Sequence, residues 1–135
     1  MAKSIKLGSD TYLDSSGVVV DSDHRKLSDG AVNITSLFTW GVTGSRKLYV
    51  IYDPVSKTVR GNMSFSLDTT VPATTTLMTI PNKYLPSSNT RAAAMINSNG
   101  TTWLSDVITF YTNGSVEQGA TNLLKEACCS FEYKV

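Results

Sequence analysis

The middle of the chain alternates between apolar and polar residues over a long run. In VRGNMSFSL, from Val59 to Leu67, every second position is apolar or Gly, and Arg, Asn and Ser occupy the positions between. Successive side chains of a β-strand point to opposite faces of its sheet, so this pattern predicts a strand with one buried and one solvent-facing side. The last run of the chain, CCSFEYKV, has the same period of two.

Turn-forming residues separate several further segments of this kind. Gly, Pro, Asn, Asp and Ser cluster in VTGS, YDPVSK, LPSSN, NSNG and TNGS. Between these clusters, RKLYVIYD, TTLMTIP, RAAAMI and DVITFY have the alternation or the β-branched and aromatic content of strands. Short strands between closely spaced turns are the pattern of an all-β sandwich or barrel, and we predict a mostly antiparallel β-sandwich. Its predicted core consists of Met63, Phe65, Leu67, Ile108, Phe110, Phe131 and Tyr133.

Two hairpins are predicted from their turns. Asn113-Gly114 suits a two-residue type I′ turn, in which both central residues have positive φ, and this turn would pair DVITFY with SVEQ. A slightly longer loop at 97–100 would pair the strands on either side of NSNG. SIKLGSDTYLD is a candidate small hairpin near the start of the chain. ATNLLKEAC is the one candidate helical turn, and the strand-like CCSFEYKV directly after it argues against a helix.

The length of 135 residues predicts one compact domain. β-Type patterning becomes dense only after Arg46, and the segment before it has weak periodicity. We therefore divide the chain into an N-terminal arm or attachment segment at 1–40 and a β-sandwich head at 41–135. The first segment could equally be a linker, or material that packs on a neighbouring subunit.

Charge and hydropathy narrow the classes of partner. The net charge is +1 and no basic run occurs, so the chain lacks the electrostatic footprint of a protein that holds nucleic acid by its phosphates. No apolar run approaches membrane-spanning length, and the first residues lack the apolar block of a signal peptide. We expect a soluble protein without nucleic-acid binding or membrane insertion.

Candidate catalytic and metal-binding groups are sparse. His24 is the only histidine, and no serine lies in a nucleophile elbow. Cys128 and Cys129 are adjacent, so they are poorly placed to bridge each other, and with one histidine they cannot complete a zinc site. We predict no enzyme activity, no metal and no cofactor. A carboxylate pair for glycoside hydrolysis remains open, because the 11 acidic residues could pair in space.

The sequence resembles the C-terminal head domains of bacteriophage tail and baseplate receptor-binding proteins. The resemblance begins at PNKYLPSSNTRAAAMINSNG and continues through DVITFYTNGSVE and the terminal SFEYKV. It is carried by Ile80-Pro81, Tyr84-Leu85-Pro86, Val107 to Tyr111, Asn113-Gly114, Val116, Phe131 and Tyr133. The segment IKLGSDTYLDSSGVVVDSDHRKLSD is similar to the opening of structural proteins from phages and prophages of Gram-positive bacteria.

This resemblance implies a jelly-roll β-sandwich that assembles as a homotrimer and adheres to host cell-wall saccharide. It also implies a virion location, in the tail or baseplate beside other virion proteins, after synthesis in the host cytoplasm. A two-fold sandwich dimer is the alternative assembly. A purely structural virion component and a small glycan-cleaving enzyme are the alternative functions.

The hairpin from Ile96 to Asp106 is the predicted saccharide site. A sugar ring presents an apolar C–H face edged by hydroxyl groups, so its partners are a flat aromatic ring beside planar hydrogen-bonding groups. This hairpin brings such residues closest together in the sequence: Asn97, Asn99, Trp103 and Asp106, with Arg91 at the start of the preceding strand. The asparagines could instead set the turn conformation, and Trp103 could be a trimer contact. Trp40, also beside a turn, is a second candidate for sugar stacking or a plug of the core.

Overall fold

The computed structural model describes residues 5–7, 10–13, 30–118 and 123–135. The described residues form strands and two single-turn 3-10 helices, at Thr35–Leu37 and Asn82–Tyr84. The strands are β1 (Ile5–Leu7), β2 (Asp10–Leu13), β3 (Val32–Asn33), β4 (Thr39–Trp40), β5 (Gly44–Asp53), β6 (Thr58–Val71), β7 (Thr76–Thr79), β8 (Thr90–Asn97), β9 (Trp103–Phe110), β10 (Ser115–Gln118) and β11 (Leu124–Lys134).

Nine of these strands form one antiparallel sheet in the order β3-β5-β6-β11-β8-β9-β10-β7-β4. β1 and β2 form a separate antiparallel pair, which confirms the predicted hairpin in SIKLGSDTYLD. The all-β, antiparallel class predicted from the sequence is confirmed. β6 and β11 pair over most of their length, and they are flanked by β5 and β8.

The sheet is curled, and its connectivity requires this. Its edge strands β3 and β4 are joined by residues 34–38 alone. A linker of this length spans at most about 20 Å, whereas the edges of a flat nine-stranded sheet would lie about 38 Å apart. Register shifts between Leu124 and Glu126 and between Val116 and Glu117 mark irregular pairing of the kind that increases local twist.

The concave side of the curl contains the hydrophobic core. Along β6 the predicted alternation is confirmed, since Val59, Met63, Phe65 and Leu67 are buried while Arg60 and the polar residues that follow it on the other face are not. All seven predicted core residues are buried, with exposures between 0 and 5 %. The rings of Phe110 and Phe131, on β9 and β11, have centroids 4.4 Å apart and join the two strands across the core.

The predicted domain boundary at residue 40 cuts through this sheet. Val32–Asn33 and Thr39–Trp40 are its two edge strands, and Ile34 and Phe38 between them are buried. The weak periodicity of this segment follows from its short strands, which are too brief to show a period of two. Residues 32–40 therefore belong structurally with the predicted head. His24 lies outside the described residues.

The hairpin predicted around Asn113-Gly114 is present, but its turn differs from the prediction. β9 and β10 pair, with Val116 opposite Phe110. The Gly114 N–H donates to the carbonyl of Tyr111 at 2.9 Å, and Gly114 has a φ of +93° while Asn113 is not among the positive-φ residues. The loop is thus a three-residue type rather than a type I′ turn. The N–H of Ile80 donates a hydrogen bond to the carbonyl of Gly114 at 2.8 Å. This contact between distant parts of the chain helps to hold the three-residue loop in place.

The other local predictions agree with the structure. β8 and β9 form the predicted hairpin around NSNG. The candidate helical turn is not a helix in its described part, because β11 begins at Leu124 and continues to Lys134. Trp40 packs partly buried against the core, with its ring centroid 5.9 Å from that of Phe65 in an edge-on contact. Trp40 is therefore core material rather than an exposed stacking surface.

Candidate functional site

A trough runs along the outer face of the sheet over β6 and β11, between β5 on one side and β8 and β9 on the other. Its central part has a volume of about 860 Å³. A smaller depression of about 430 Å³ adjoins it and shares Tyr49, Asn62 and Ser130. Another, of about 240 Å³, adjoins the opposite end and shares Lys47, Ser64 and Cys128. The three form one continuous surface, called the trough below.

Small side chains form the floor of the trough. Ser64 of β6 lies opposite Cys128 of β11, and Asn62 lies opposite Ser130, so one row of short polar side chains follows each strand. The Ser130 hydroxyl donates to Asn62 Oδ1 at 2.6 Å. Ala93 of β8 continues the low floor on the far side. The alternation that places large residues in the core therefore leaves Ser and Asn on the outside.

Larger exposed side chains line the trough on both sides. Tyr49 of β5 is 53 % exposed, and Met95 of β8 is 42 % exposed. Trp103, the first residue of β9, is 46 % exposed and lines the end nearest Glu126. Large apolar side chains that stay exposed forgo favourable burial, and several of them grouped on one face indicate an interaction surface. Their arrangement around one depression makes the trough the candidate binding surface.

Charged groups in the trough are mostly paired. Glu126 accepts hydrogen bonds from the Ser66 hydroxyl at 3.1 Å and from Asn97 Nδ2 at 2.9 Å. At the opposite end, Arg60 Nε and a Glu132 carboxylate oxygen lie 3.6 Å apart. Lys47 forms no hydrogen bond or ion pair with the described residues, and its side chain lines the junction of two parts of the trough. Within the part of the chain that the structure describes, the trough therefore presents hydroxyl, amide and aromatic groups among apolar side chains, with the Lys47 ammonium unpaired.

Asn97, the first predicted site residue, is a structural residue in this fold. It is fully buried, and its Oδ1 accepts hydrogen bonds from the backbone N–H groups of Asn99 at 2.8 Å and Gly100. Its Nδ2 donates a hydrogen bond to the Glu126 carboxylate. Every polar atom of this amide is thus engaged within the protein, and the residue shapes the loop beside the trough.

The other predicted site residues do not form one cluster. Asn99 Oδ1 accepts from the backbone N–H groups of Thr101 at 2.9 Å and Thr102 at 3.0 Å, which is turn chemistry of the kind that the sequence left open. Asp106 lines the central trough, and its carboxylate accepts from Gln118 Nε2 at 2.9 Å. Trp103 lines one end of the trough.

Arg91 is separated from the rest of the predicted site. It is exposed on β8 opposite Thr109, about 7 Å beyond Ala93 along the same face, and it does not line the trough. The structure therefore brings Trp103 and Asp106 to the trough and places Arg91 outside it. The saccharide-binding role of these residues stays a prediction.

Sequence reasoning missed Tyr49, Lys47, Ser64 and Met95. Each one was visible as an outward-facing position of a predicted strand, since the period of two assigns a side to every residue. The period does not reveal which strands are neighbours. Tyr49 and Asn62 lie opposite each other only because β5 pairs with β6, and Met95 meets Cys128 only because β8 pairs with β11.

The two cysteines have opposite environments. Cys128 is exposed on the trough floor and Cys129 is buried, and both are free thiols, as their adjacency predicted. Burial raises the pKa of the Cys129 thiol to about 12. Among residues of the described ranges, no group of three or more His, Cys, Asp and Glu side chains is arranged to hold a metal ion.

Comparison of the sequence with known proteins does not indicate a function for the chain. No protein-family model matches the chain, and a search of curated proteins finds no similar sequence. In the part of the chain that the structure describes, no helix has the length and apolar character required to cross a membrane. The function is therefore inferred from the trough and from the motifs of the sequence.

Proposed function

We propose that this protein is a virion adhesin, a tail or baseplate receptor-binding protein that holds host cell-surface saccharide in the trough. The observation that carries this proposal is the open depression of about 860 Å³, in which exposed Tyr49 lies beside Ser and Asn side chains within a largely apolar lining. Adhesion requires shape and hydrogen-bonding groups rather than a reactive side chain. This agrees with a sequence in which few catalytic candidates were found.

The chemistry of the trough suits a sugar. Aromatic rings at Tyr49 and Trp103 can contact the apolar C–H face of a pyranose. The hydroxyls of Ser64 and Ser130 and the amide of Asn62 can exchange hydrogen bonds with sugar hydroxyl groups. Placing such groups on paired strands holds them in fixed positions, which limits the conformational entropy lost on binding.

The finer architecture is part of the same proposal. We propose that the curled sheet is a jelly-roll-like sandwich and that three copies associate as a homotrimer. The resemblance to phage head domains supports both statements, and the close approach of the edge strands β3 and β4 is compatible with the first. Attachment to other virion proteins would use residues from the N-terminal segment, and synthesis would occur in the host cytoplasm.

A structural virion component is the second candidate. Exposed Tyr49, Met95 and Trp103 on one face would also suit contact with another virion protein. A glycan-cleaving enzyme is the third, and its carboxylates would have to come from residues such as Asp106 and Glu126. These candidates differ in what they do with a polysaccharide, so one assay separates them.

The test is binding of the purified chain to arrayed glycans and to isolated cell walls of Gram-positive bacteria. Tyr49→Ala should lower binding at least about tenfold, because it removes an exposed ring from the centre of the trough. Leu37→Ala is the matched control: this residue is 50 % exposed in the connection between β3 and β4, outside the trough.

Saccharide binding that depends on Tyr49 and not on Leu37 supports the adhesin. Absence of binding to any saccharide or cell wall would contradict the proposal and favour the structural component. Release of reducing ends from a bound glycan would favour the enzyme. Equal loss of binding in both variants would remove the trough from the proposal.

A further inference from the structure

The trough is longer than a single sugar ring. It extends along β6 from Arg60 to Ser66, which corresponds to about 20 Å of strand. The side chains at one end, Arg60 and Glu132, are 51 % and 61 % exposed, and Trp103 at the other end is 46 % exposed. Such a surface is open lengthwise, so a ligand could extend beyond it in both directions.

The polar groups of the floor repeat along this length. Asn62, Ser64 and Ser66 lie at alternate positions of β6, so neighbouring members are about 7 Å apart. Glu126, Cys128 and Ser130 face them from β11. A linear polymer of similar units meets a similar set of hydrogen-bonding groups at each step, whereas one terminal sugar would use a single part of the trough.

The same features disfavour an extended polypeptide. A peptide that adds to a sheet binds at a strand edge, where it exchanges main-chain hydrogen bonds. The trough lies on the face of β5, β6, β11 and β8, and these strands already pair with each other. Its floor therefore offers side chains only.

Charge disfavours a densely charged polymer. Arg60 is close to Glu132, and Glu126 accepts hydrogen bonds from Ser66 and Asn97. Lys47 is then the one cation in the trough without a partner among the described residues. A polyanion would require several such cations along its length.

We infer that the trough binds an internal segment of a linear, largely uncharged polysaccharide, several sugar units long, rather than a chain terminus or a single sugar. This inference rests on the proposed function and adds the class of ligand and the mode of binding. Trp103 lies near one end and Arg60 at the other, so the two residues mark the ends of the bound segment.

The experiment uses wall polysaccharide from a host that the chain binds, partially hydrolysed and fractionated by length. Each fraction competes with intact cell wall for the full-length chain. We expect affinity to rise more than about tenfold from single sugars to oligomers that fill the trough, and then to level off. Reduction of the sugar at the reducing end should leave the affinity of long oligomers unchanged.

Trp103→Ala supplies the positional readout. It should lower the affinity for long oligomers while leaving that for the shortest competing fragments unchanged, because it removes a contact at one end only. Leu37→Ala is again the control, and the circular dichroism spectrum of each variant verifies its fold. Loss of affinity for fragments of every length in a folded Trp103→Ala protein would contradict the inference.

Other outcomes also decide between the two proposals. Single sugars that compete as well as long oligomers, or binding that is lost on end reduction, would overturn the internal-segment mode while leaving the adhesin intact. Competition by an extended peptide, with no competition by saccharide, would overturn it in favour of a polypeptide ligand. Absence of binding to every wall preparation would overturn both proposals together.

Discussion

Gly61 lies on the inner face of β6, where it leaves no room for a side chain. A Cβ atom there would lie 2.5 Å from the carbonyl oxygen of Tyr49 and 2.7 Å from Cζ of Phe131. We expect Gly61→Ala to lower the free energy of unfolding by about 1–3 kcal/mol, because the backbone of β5 or the ring of Phe131 must move. Chemical denaturation measures the loss, with Ala93→Gly on the exposed face of β8 as a control. An unchanged midpoint would show that the strands can separate at little cost.

The adjacent cysteines should differ in reactivity. At mildly alkaline pH a disulfide-exchange reagent should titrate one thiol per chain in the native protein and two after denaturation. Cys128 is exposed, whereas Cys129 is buried with its pKa raised to about 12, so its reactive thiolate is scarce. Two fast thiols in the native protein would contradict this environment. Cys128→Ser identifies the fast thiol.

The same pKa shift predicts a loss of stability in alkali. The folded state holds the Cys129 proton more tightly than the unfolded state does. Its contribution to stability is therefore fully present below the ordinary thiol pKa and is lost as the pH rises towards about 12. Burial also raises the pKa of Tyr133, which adds to the loss at the alkaline end. Denaturant midpoints that do not fall above the ordinary thiol pKa would contradict this prediction.

The side chain of Asn97 holds the loop of the β8–β9 hairpin in place. Its side chain accepts hydrogen bonds from two backbone N–H groups of the loop and donates to Glu126 of β11. We expect Asn97→Ala to lower the free energy of unfolding by about 1–3 kcal/mol, because buried polar groups lose their partners. Asn99→Ala is the matched control, because Asn99 is exposed. The backbone N–H groups of Thr101 and Thr102, which donate to its side chain, can bond to water instead. A larger loss of unfolding free energy for Asn99→Ala than for Asn97→Ala would contradict the structural role assigned to Asn97.

In the two hairpins, the turn residues predicted where each turn lies but not every detail of its loop. TNGS and NSNG both indicated the position of a turn correctly. The predicted two-residue loop at Asn113-Gly114 was wrong, since the loop has three residues and the Gly114 carbonyl accepts a hydrogen bond from Ile80, a residue distant in sequence. The sugar-binding interpretation of Asn97 and Asn99 came from their residue type. Their loop hydrogen bonds are local turn contacts, the alternative that the sequence left open. Only the bond from Asn97 Nδ2 to Glu126 depends on the position of β11, which the hairpin sequence does not specify.

At the scale of the whole molecule, the proposed trimer predicts a mass in solution. Light scattering at micromolar concentration should give about three times the chain mass of 14.6 kDa. A small β domain gains by covering exposed apolar side chains and strand edges in such an assembly. A mass near that of one chain would contradict the trimer, and twice that mass would favour the two-fold dimer.

A matched variant relates assembly to the trough. If Tyr49→Ala binds saccharide weakly but keeps the trimer mass, the trough is accessible in the assembly. Loss of the trimer together with binding would place Tyr49 at a subunit contact. Leu37→Ala is the control for both measurements.

Local patterning in the sequence was enough to predict the all-β fold class, the positions of most strands and the buried side of each strand. A period of two is a local property, and in a sheet with one buried face it assigns every side chain to a face, which is why all seven predicted core residues are buried. The weakly patterned edge strands at 32–40 escaped this reasoning, because two-residue strands have no period to detect.

The neighbours of each strand, the curl of the sheet and the position of the trough became visible only in the folded chain. Ser64 and Cys128 face each other across two strands that are far apart in the chain, and neither residue identifies the other in the sequence. Strand pairing is set by packing of the whole core and by chain connections such as residues 34–38. The local alternation therefore predicted the outward residues, and the fold alone brought Tyr49, Asn62 and Trp103 to one surface.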